Sequence, residues 1–229
     1  MGHGRAHRSV RRSPPVSTVA VFGASGQTGR RIVERLAQHG KNVLAIGRRA
    51  STENAYPGVR SAVADLTRST VSELEHTLEG VDTVVFAAAG DPIRVDRDGA
   101  LRVIEAAESA AVNRFVLITG MGVGRTRPPE LYGGFWDTYF GAKEASERAL
   151  RASDLRWTIL QPGELLNSPG TNRVQLAPTG TLPIGRITRD DVAGVVAAVL
   201  ERDHAAGNTW ELVEGRSTAA GAVDEALRG

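Results

Sequence analysis

The feature that most narrows the possible folds is a short apolar strand that runs straight into three spaced glycines. Thr18-Val19-Ala20-Val21-Phe22 is rich in β-formers and carries no charge, so it reads as a buried strand. It ends in Gly23-Ala24-Ser25-Gly26-Gln27-Thr28-Gly29, with the spacing G-x-x-G-x-x-G. A helical pattern follows, with Ile32, Val33, Leu36 and Ala37 on one face and Gly40 to stop it. In such a unit the first glycine permits a tight turn. The second lets backbone touch a pyrophosphate, and the third lets helix pack closely on strand. The helix that opens there points free N–H groups and its positive end at the anion. Gly23, Ser25, Gly26, Gln27, Thr28 and Gly29 are therefore expected to hold a dinucleotide.

The rest of the chain repeats the alternation. Strands are expected at Asn42–Gly47, Arg60–Ala64, Thr83–Phe86, Arg114–Thr119, Trp157–Leu160 and Thr209–Val213. Helices are expected at 71–78, 96–110, 139–153 and 189–200, the second with an apolar stripe of Ala100, Val103, Ile104 and Ala107. Strands that alternate with helices predict right-handed crossovers and an α/β fold: a doubly wound, mostly parallel sheet with helices on both faces. Two stretches break the rhythm, a Gly/Pro-rich loop near 120–136 and an irregular segment, 162–188, with four prolines. They read as a substrate-side cap on one domain spanning 17–229.

Charge sets the first 16 residues apart. They hold Arg5, Arg8, Arg11 and Arg12 and no acid, and read as a disordered basic tail. Taking those four from 28 basic residues leaves 24 against 26 acidic ones, so the body is near −2 and is no basic nucleic-acid surface. No apolar run reaches the ~18 residues of a membrane span, and no apolar core marks the tail as a secretory signal. There is no cysteine, hence no disulfide, thiolate metal site or cysteine nucleophile. No histidine pair has metal-ligand spacing, so no metal is expected. Asp190-Asp191 reads as helix N-terminal charge rather than a paired-acid site.

The end of the second strand bears on cofactor choice. Proteins that select NAD usually place an acid there to bond the ribose 2′-hydroxyl. Here Ile46-Gly47 leads into Arg48-Arg49. Two guanidiniums suit a 2′-phosphate, which favours NADP(H) over NAD(H); the alternative is a solvated surface pair.

These residues and those downstream resemble the short-chain dehydrogenase/reductase superfamily, in particular its atypical branch of small NAD(P)H-binding Rossmann proteins. The resemblance covers most of 18–215. It implies that Asp65-Leu66 lies beside adenine and that Ala87-Ala88-Ala89-Gly90 lines the adenosine ribose. It also implies that Pro162-Gly163, after Trp157-Thr158-Ile159-Leu160-Gln161, meets the nicotinamide end. Tyr139 and Lys143 have the spacing Y-x-x-x-K, which puts both on one helix face. Both residues are common on helix faces. In this position, though, the pair suits proton transfer from phenol to a carbonyl oxygen, with the lysine tuning the phenol and bonding ribose. The sequence departs from the branch at three points. Relatives that reduce carbonyls carry a serine just after the fifth strand, where this chain reads Thr119-Gly120-Met121, so that Thr119 supplies the nearest hydroxyl. Asp96 replaces a frequent asparagine and Gln161 a frequent arginine. Phe135 and Trp136, ahead of Tyr139, either line a pocket or pack.

The resemblance implies a cytoplasmic NADPH-dependent oxidoreductase, monomer or homodimer, reducing a small carbonyl, quinone or enone. Tyr139, Lys143 and Thr119 are its candidate catalytic residues. The competing readings are a non-catalytic NADP(H) sensor and an NAD(P)-dependent epimerase or dehydratase.

Overall fold

The computed structural model describes residues 17–49 and 56–229. The basic tail lies outside the described residues. The strands β1 (Thr18–Phe22), β2 (Asn42–Gly47), β3 (Val59–Val63), β4 (Thr83–Phe86) and β5 (Arg114–Ile118) form most of one parallel sheet. A short strand β6 (Met121–Gly124) follows outside it. β7 (Arg156–Pro162), β9 (Val174–Pro178) and β11 (Asn208–Glu214) complete the sheet in the order β3-β2-β1-β4-β5-β7-β11-β9, and β8 (Glu164–Leu166) pairs apart with β10 (Arg186–Thr188). Only β9 runs antiparallel, along the edge of β11. The Rossmann-type fold is thus as the sequence pattern predicts.

Both sheet faces are covered, and the period of two in the strands shows how. Val19 and Val21 of β1 join one apolar cluster beneath α1 (Gln27–Gln38), α5 (Arg189–Leu200) and α6 (Ala219–Ala226). Ala20 and Phe22 of the same strand join the other, beneath α2 (Val71–Thr77), α3 (Asp98–Ser109) and α4 (Gly134–Ala152). A strand buried on both sides is apolar along most of its length, which is why β1, β4 and β5 read as near-continuous runs after their first residue. The chain winds in opposite directions from β1 and β4, so their carboxyl ends diverge into a crevice. Ligands of open α/β sheets bind at this switch point. Among the described residues, no helix is long and apolar enough to cross a membrane.

Several elements differ from the sequence pattern. α4 begins at Gly134, five residues before Tyr139, because the Asp137 carboxylate accepts a bond from Gly133 N–H at 2.9 Å and fixes the first turn. The helix expected from Asp96 is a π-helical turn, Pro92–Arg97, running into α3. The irregular stretch after Pro162 holds β8, β9 and β10, whose partners are distant in sequence. α6 has no counterpart in the sequence reading; Thr218 caps it, and it buries only Ala219, Ala222 and Val223.

The start of α5 is tied more firmly than an acidic pair alone predicts. Thr188 is the capping residue: its hydroxyl accepts from Asp191 N–H at 3.0 Å and donates to the Asp191 carboxylate at 2.8 Å. That carboxylate also accepts from the backbone N–H groups of Thr171 and Asn172. Asp190 accepts from Gly170 N–H and from Arg31 of α1. Thr188→Ala is expected to cost about 1–2 kcal/mol, seen as a fall in melting temperature of roughly 2–8 °C. An unchanged thermal transition would show that Asp191 holds the turn without the cap.

Candidate active site

Two adjoining cavities open at the carboxyl end of the sheet. The first, about 550 Å³, lies over the crevice between β1 and β4. Its floor is the glycine loop. Gly23 has φ +80°, and a Cβ there would come within 2.6 Å of Ala88 Cα. A Cβ on Gly29 would lie 2.1 Å from the Gly23 carbonyl oxygen. These two glycines are needed by the fold itself. Gly26 differs: its backbone is ordinary extended (φ −74°, ψ 165°), and a Cβ would meet only the Gly23 carbonyl oxygen, at 3.1 Å. It is the N-cap of α1, and no side chain caps the helix. The uncapped first-turn N–H groups border the cavity together with Ser25, Gln27 and Thr28. A concave, uncapped helix start is what a pyrophosphate requires, so the residues present fit the dinucleotide.

The far wall carries the adenosine-side candidates. Arg48 lines the groove at the end of β2, as do Asp65, Leu66 and Ala87–Gly90. Arg49 is exposed and outside the lining. The Asp65 carboxyl is held below its usual range, chiefly by the Thr67 backbone N–H at 2.9 Å and then by the Thr67 hydroxyl at 2.8 Å. Arg48 adds a weaker Coulombic pull.

The second cavity, about 810 Å³, has a mixed lining of apolar and polar groups. Met121, Trp136, Tyr139 and Phe140 face Pro162, Leu165 and Ile184 across it, with Arg186 and Arg189 on the same rim. Leu165 and Arg189 line both cavities, so the two are continuous. The Tyr139 hydroxyl points at the end of β5: a Cβ built on Gly120 would lie 3.5 Å from it. Trp136 and Phe140 pack edge-on to the Tyr139 ring and hold it. Phe135 stacks on Tyr139 from outside, 61% exposed, and is absent from the lining.

Residues 23–203 match the model of a family described as NAD(P)H-binding. The chain belongs to this NAD(P)H-binding family. It is 32% identical over 217 residues to a protein of Bacillus subtilis (strain 168) named as an uncharacterized sugar epimerase, YhfK, covering 90% of this chain and 98% of that one. It is 32% identical over 219 residues to YMR090W of Saccharomyces cerevisiae (strain ATCC 204508 / S288c), covering 86% and 93%. The solved structure of the oxidoreductase ylbE from Lactococcus lactis superposes with a TM-score of 0.82 at 23% identity, over 93% of this chain and 97% of that one. The NAD(P)H-binding family and the Rossmann-type fold expected from the sequence are borne out.

Of the remaining candidate residues, Thr119, Pro162 and Gly163 line the second cavity, whereas Lys143 lies behind its wall. Lys143 is buried, its Nζ 2.6 Å from Asp96 Oδ1 and 5.7 Å from the centre of the Tyr139 ring. Asp96 is buried too, and its other oxygen accepts from Gly90 N–H at 3.2 Å. Two buried charges persist in such a place only as a pair. The π-helical turn is what brings Asp96 against α4, and it ties the tyrosine's helix to the 87–90 segment.

Thr119 borders the acceptor cavity, but its hydroxyl donates to Glu147 at 2.6 Å, beneath the floor. That carboxylate is 1% exposed and needs donors, which Thr119, Gln161 and Arg151 provide. The Thr119 hydroxyl is thus committed to Glu147, and Gly120 is the residue against the phenol. Gln161 also accepts from Thr179, so it braces the floor against the 174–182 segment. Among the described residues no cluster of three or more acids or histidines is arranged to hold a metal.

The sequence reading missed Arg189, Asp96 as a partner of Lys143, and Gly120 as the neighbour of Tyr139. Arg189 directly precedes the Asp190-Asp191 pair that drew attention to this turn. An arginine at a helix start, where the positive helix end disfavours it, was the available signal.

Proposed function

We propose that the protein is an NADP(H)-dependent oxidoreductase that reduces a small carbonyl, quinone or enone. The observation that carries this reading is the Tyr139 phenol, which lines a cavity that continues directly into the dinucleotide groove. When bound, the cofactor supplies a hydride. The protein's own part is to hold the acceptor against the Gly120 edge and to exclude water with Trp136, Phe140 and Ile184. Tyr139 then gives its proton to the oxygen of a carbonyl acceptor as the carbon is reduced, leaving an alcohol and a phenolate that regains its proton from water. Lys143, paired with Asp96, fixes the helix face that presents the phenol. Steady NADPH oxidation with a panel of small ketones and quinones tests the reading; no turnover with any acceptor, despite tight cofactor binding, would remove it.

Selection of NADP(H) rests on Arg48, the arginine of the pair that lines the groove. Arg48→Ala is expected to weaken NADPH by about tenfold or more while NADH changes little, since a charge-assisted bond contributes ~1.5–3 kcal/mol. Arg49→Ala, altering a side chain outside the groove lining, should do much less. Equal losses for both nucleotides in calorimetric titrations would take the 2′-phosphate away from Arg48.

A sensor role is the second reading, and Gly120 favours it. With no hydroxyl where carbonyl-reducing relatives have serine, the phenol has one helper fewer. Stoichiometric binding of both redox forms without turnover is its expected signature.

A further inference from the structure

Arg189 stands where the two cavities meet and lines both. One nitrogen, Nη1, donates to the Leu165 carbonyl at 2.8 Å and to Asn167 Oδ1 at 2.9 Å. These bonds fix the guanidinium in place and leave Nη2 and Nε with no bond to any described residue. No carboxylate of the described residues pairs with it. Its neighbour Asp190 is taken by Arg31 at 2.7 Å and by Gly170 N–H at 3.1 Å. Arg31 in turn donates to the Gln27 carbonyl at 2.8 Å, so that Asp190 of α5 is tied through it to the first turn of α1. Burial, and then the nearby Arg31 charge, both act against the Arg189 cation. The half-buried guanidinium is thus held only by neutral acceptors among the described residues.

The place suggests which anion. Arg48 and Asp65 line only the groove, at its adenosine end. Arg189 lies where that groove opens into the acceptor cavity, beside the converging starts of α1 and α5. Both helix starts favour negative charge. We infer that Arg189 is a phosphate-binding residue: its free N–H groups take the phosphate on the nicotinamide side of the dinucleotide. In doing so it ties the 164–167 segment, a wall of the acceptor cavity, to the bound cofactor. The inference rests on the dinucleotide reading of the groove. It makes cofactor occupancy a condition for a firm acceptor wall.

The test uses two probes, NADP⁺ and adenosine 2′,5′-bisphosphate, which keeps the adenosine-side phosphate and lacks the nicotinamide-side one. Each is titrated calorimetrically into wild type, Arg189→Gln and Arg189→Lys, with thermal unfolding of each free protein as a check on the fold. Arg189→Gln is expected to weaken NADP⁺ by about tenfold or more and to leave the bisphosphate unchanged. Arg189→Lys should recover part of the loss, because a point charge replaces the fork. Unchanged affinity for both probes would overturn the assignment and turn the arginine toward the acceptor. Equal loss of both would overturn it as well, by showing a deformed groove. If wild type binds neither probe, the groove reading itself fails, a result distinct from the other two.

Discussion

Gly26→Val is expected to abolish dinucleotide binding and leave the fold standing. The backbone at Gly26 is extended, so valine meets no conformational penalty there. A new Cβ meets a single atom, the Gly23 carbonyl oxygen at 3.1 Å, which a shift of a few tenths of an ångström relieves. The remaining side-chain volume enters the groove above the uncapped N–H groups of α1. A phosphate held off these donors loses at least two charge-assisted bonds, ~3–6 kcal/mol together, or roughly 10²–10⁴-fold in affinity. The neighbouring glycines supply the contrast. Gly29→Ala would put a Cβ 2.1 Å from a backbone oxygen and should lower stability before it lowers binding. Calorimetry and thermal unfolding on both variants separate the two effects. Retained affinity in a folded Gly26→Val would place the pyrophosphate elsewhere.

Tyr139→Phe is expected to slow ketone reduction by ~10²-fold or more, within the usual range for general acid catalysis. NADPH affinity should hold, because Tyr139 lines the acceptor cavity and not the cofactor groove. The ring should hold too, since Phe135, Trp136 and Phe140 surround it and phenylalanine keeps those contacts. Quinones give a sharper comparison: their reduced oxygen is a stable anion and can take its proton from water, so their rate should fall far less. A substitution that slows both acceptors equally would point to lost packing rather than lost proton transfer. Full ketone activity in the phenylalanine variant would leave direct hydride transfer without a protein acid.

Local pattern was sufficient for the parallel strands of the sheet and for the floor of the groove. β1 and its glycine loop need only a buried strand, a turn and a helix start, and each is written within a dozen consecutive residues. The alternation of Val19 and Val21 against Ala20 and Phe22 needs only the period of a strand and two covered faces. The helix spacing likewise placed Tyr139 and Lys143 together, since four residues always share a face.

Tertiary structure decided what each candidate side chain does. Spacing could not show that Lys143 turns inward to a buried Asp96, 47 positions earlier in the chain, because that pairing depends on how a π-helical turn meets α4. Nor could it show that the Thr119 hydroxyl is committed to Glu147 while Gly120 faces the phenol, since both lie just past the end of β5, where no strand period sets their direction. β8, β9 and β10 were illegible because their hydrogen bonds go to distant partners, and α6 because its apolar face is only three small residues wide. Arg189 gained its meaning last. A lone arginine at a helix start becomes a candidate phosphate ligand only when two cavities join at its side chain and the neighbouring acid is already paired. Sequence fixes local conformation through short-range sterics and periodicity; the direction and partners of a charged side chain are set by burial, which only the assembled fold defines.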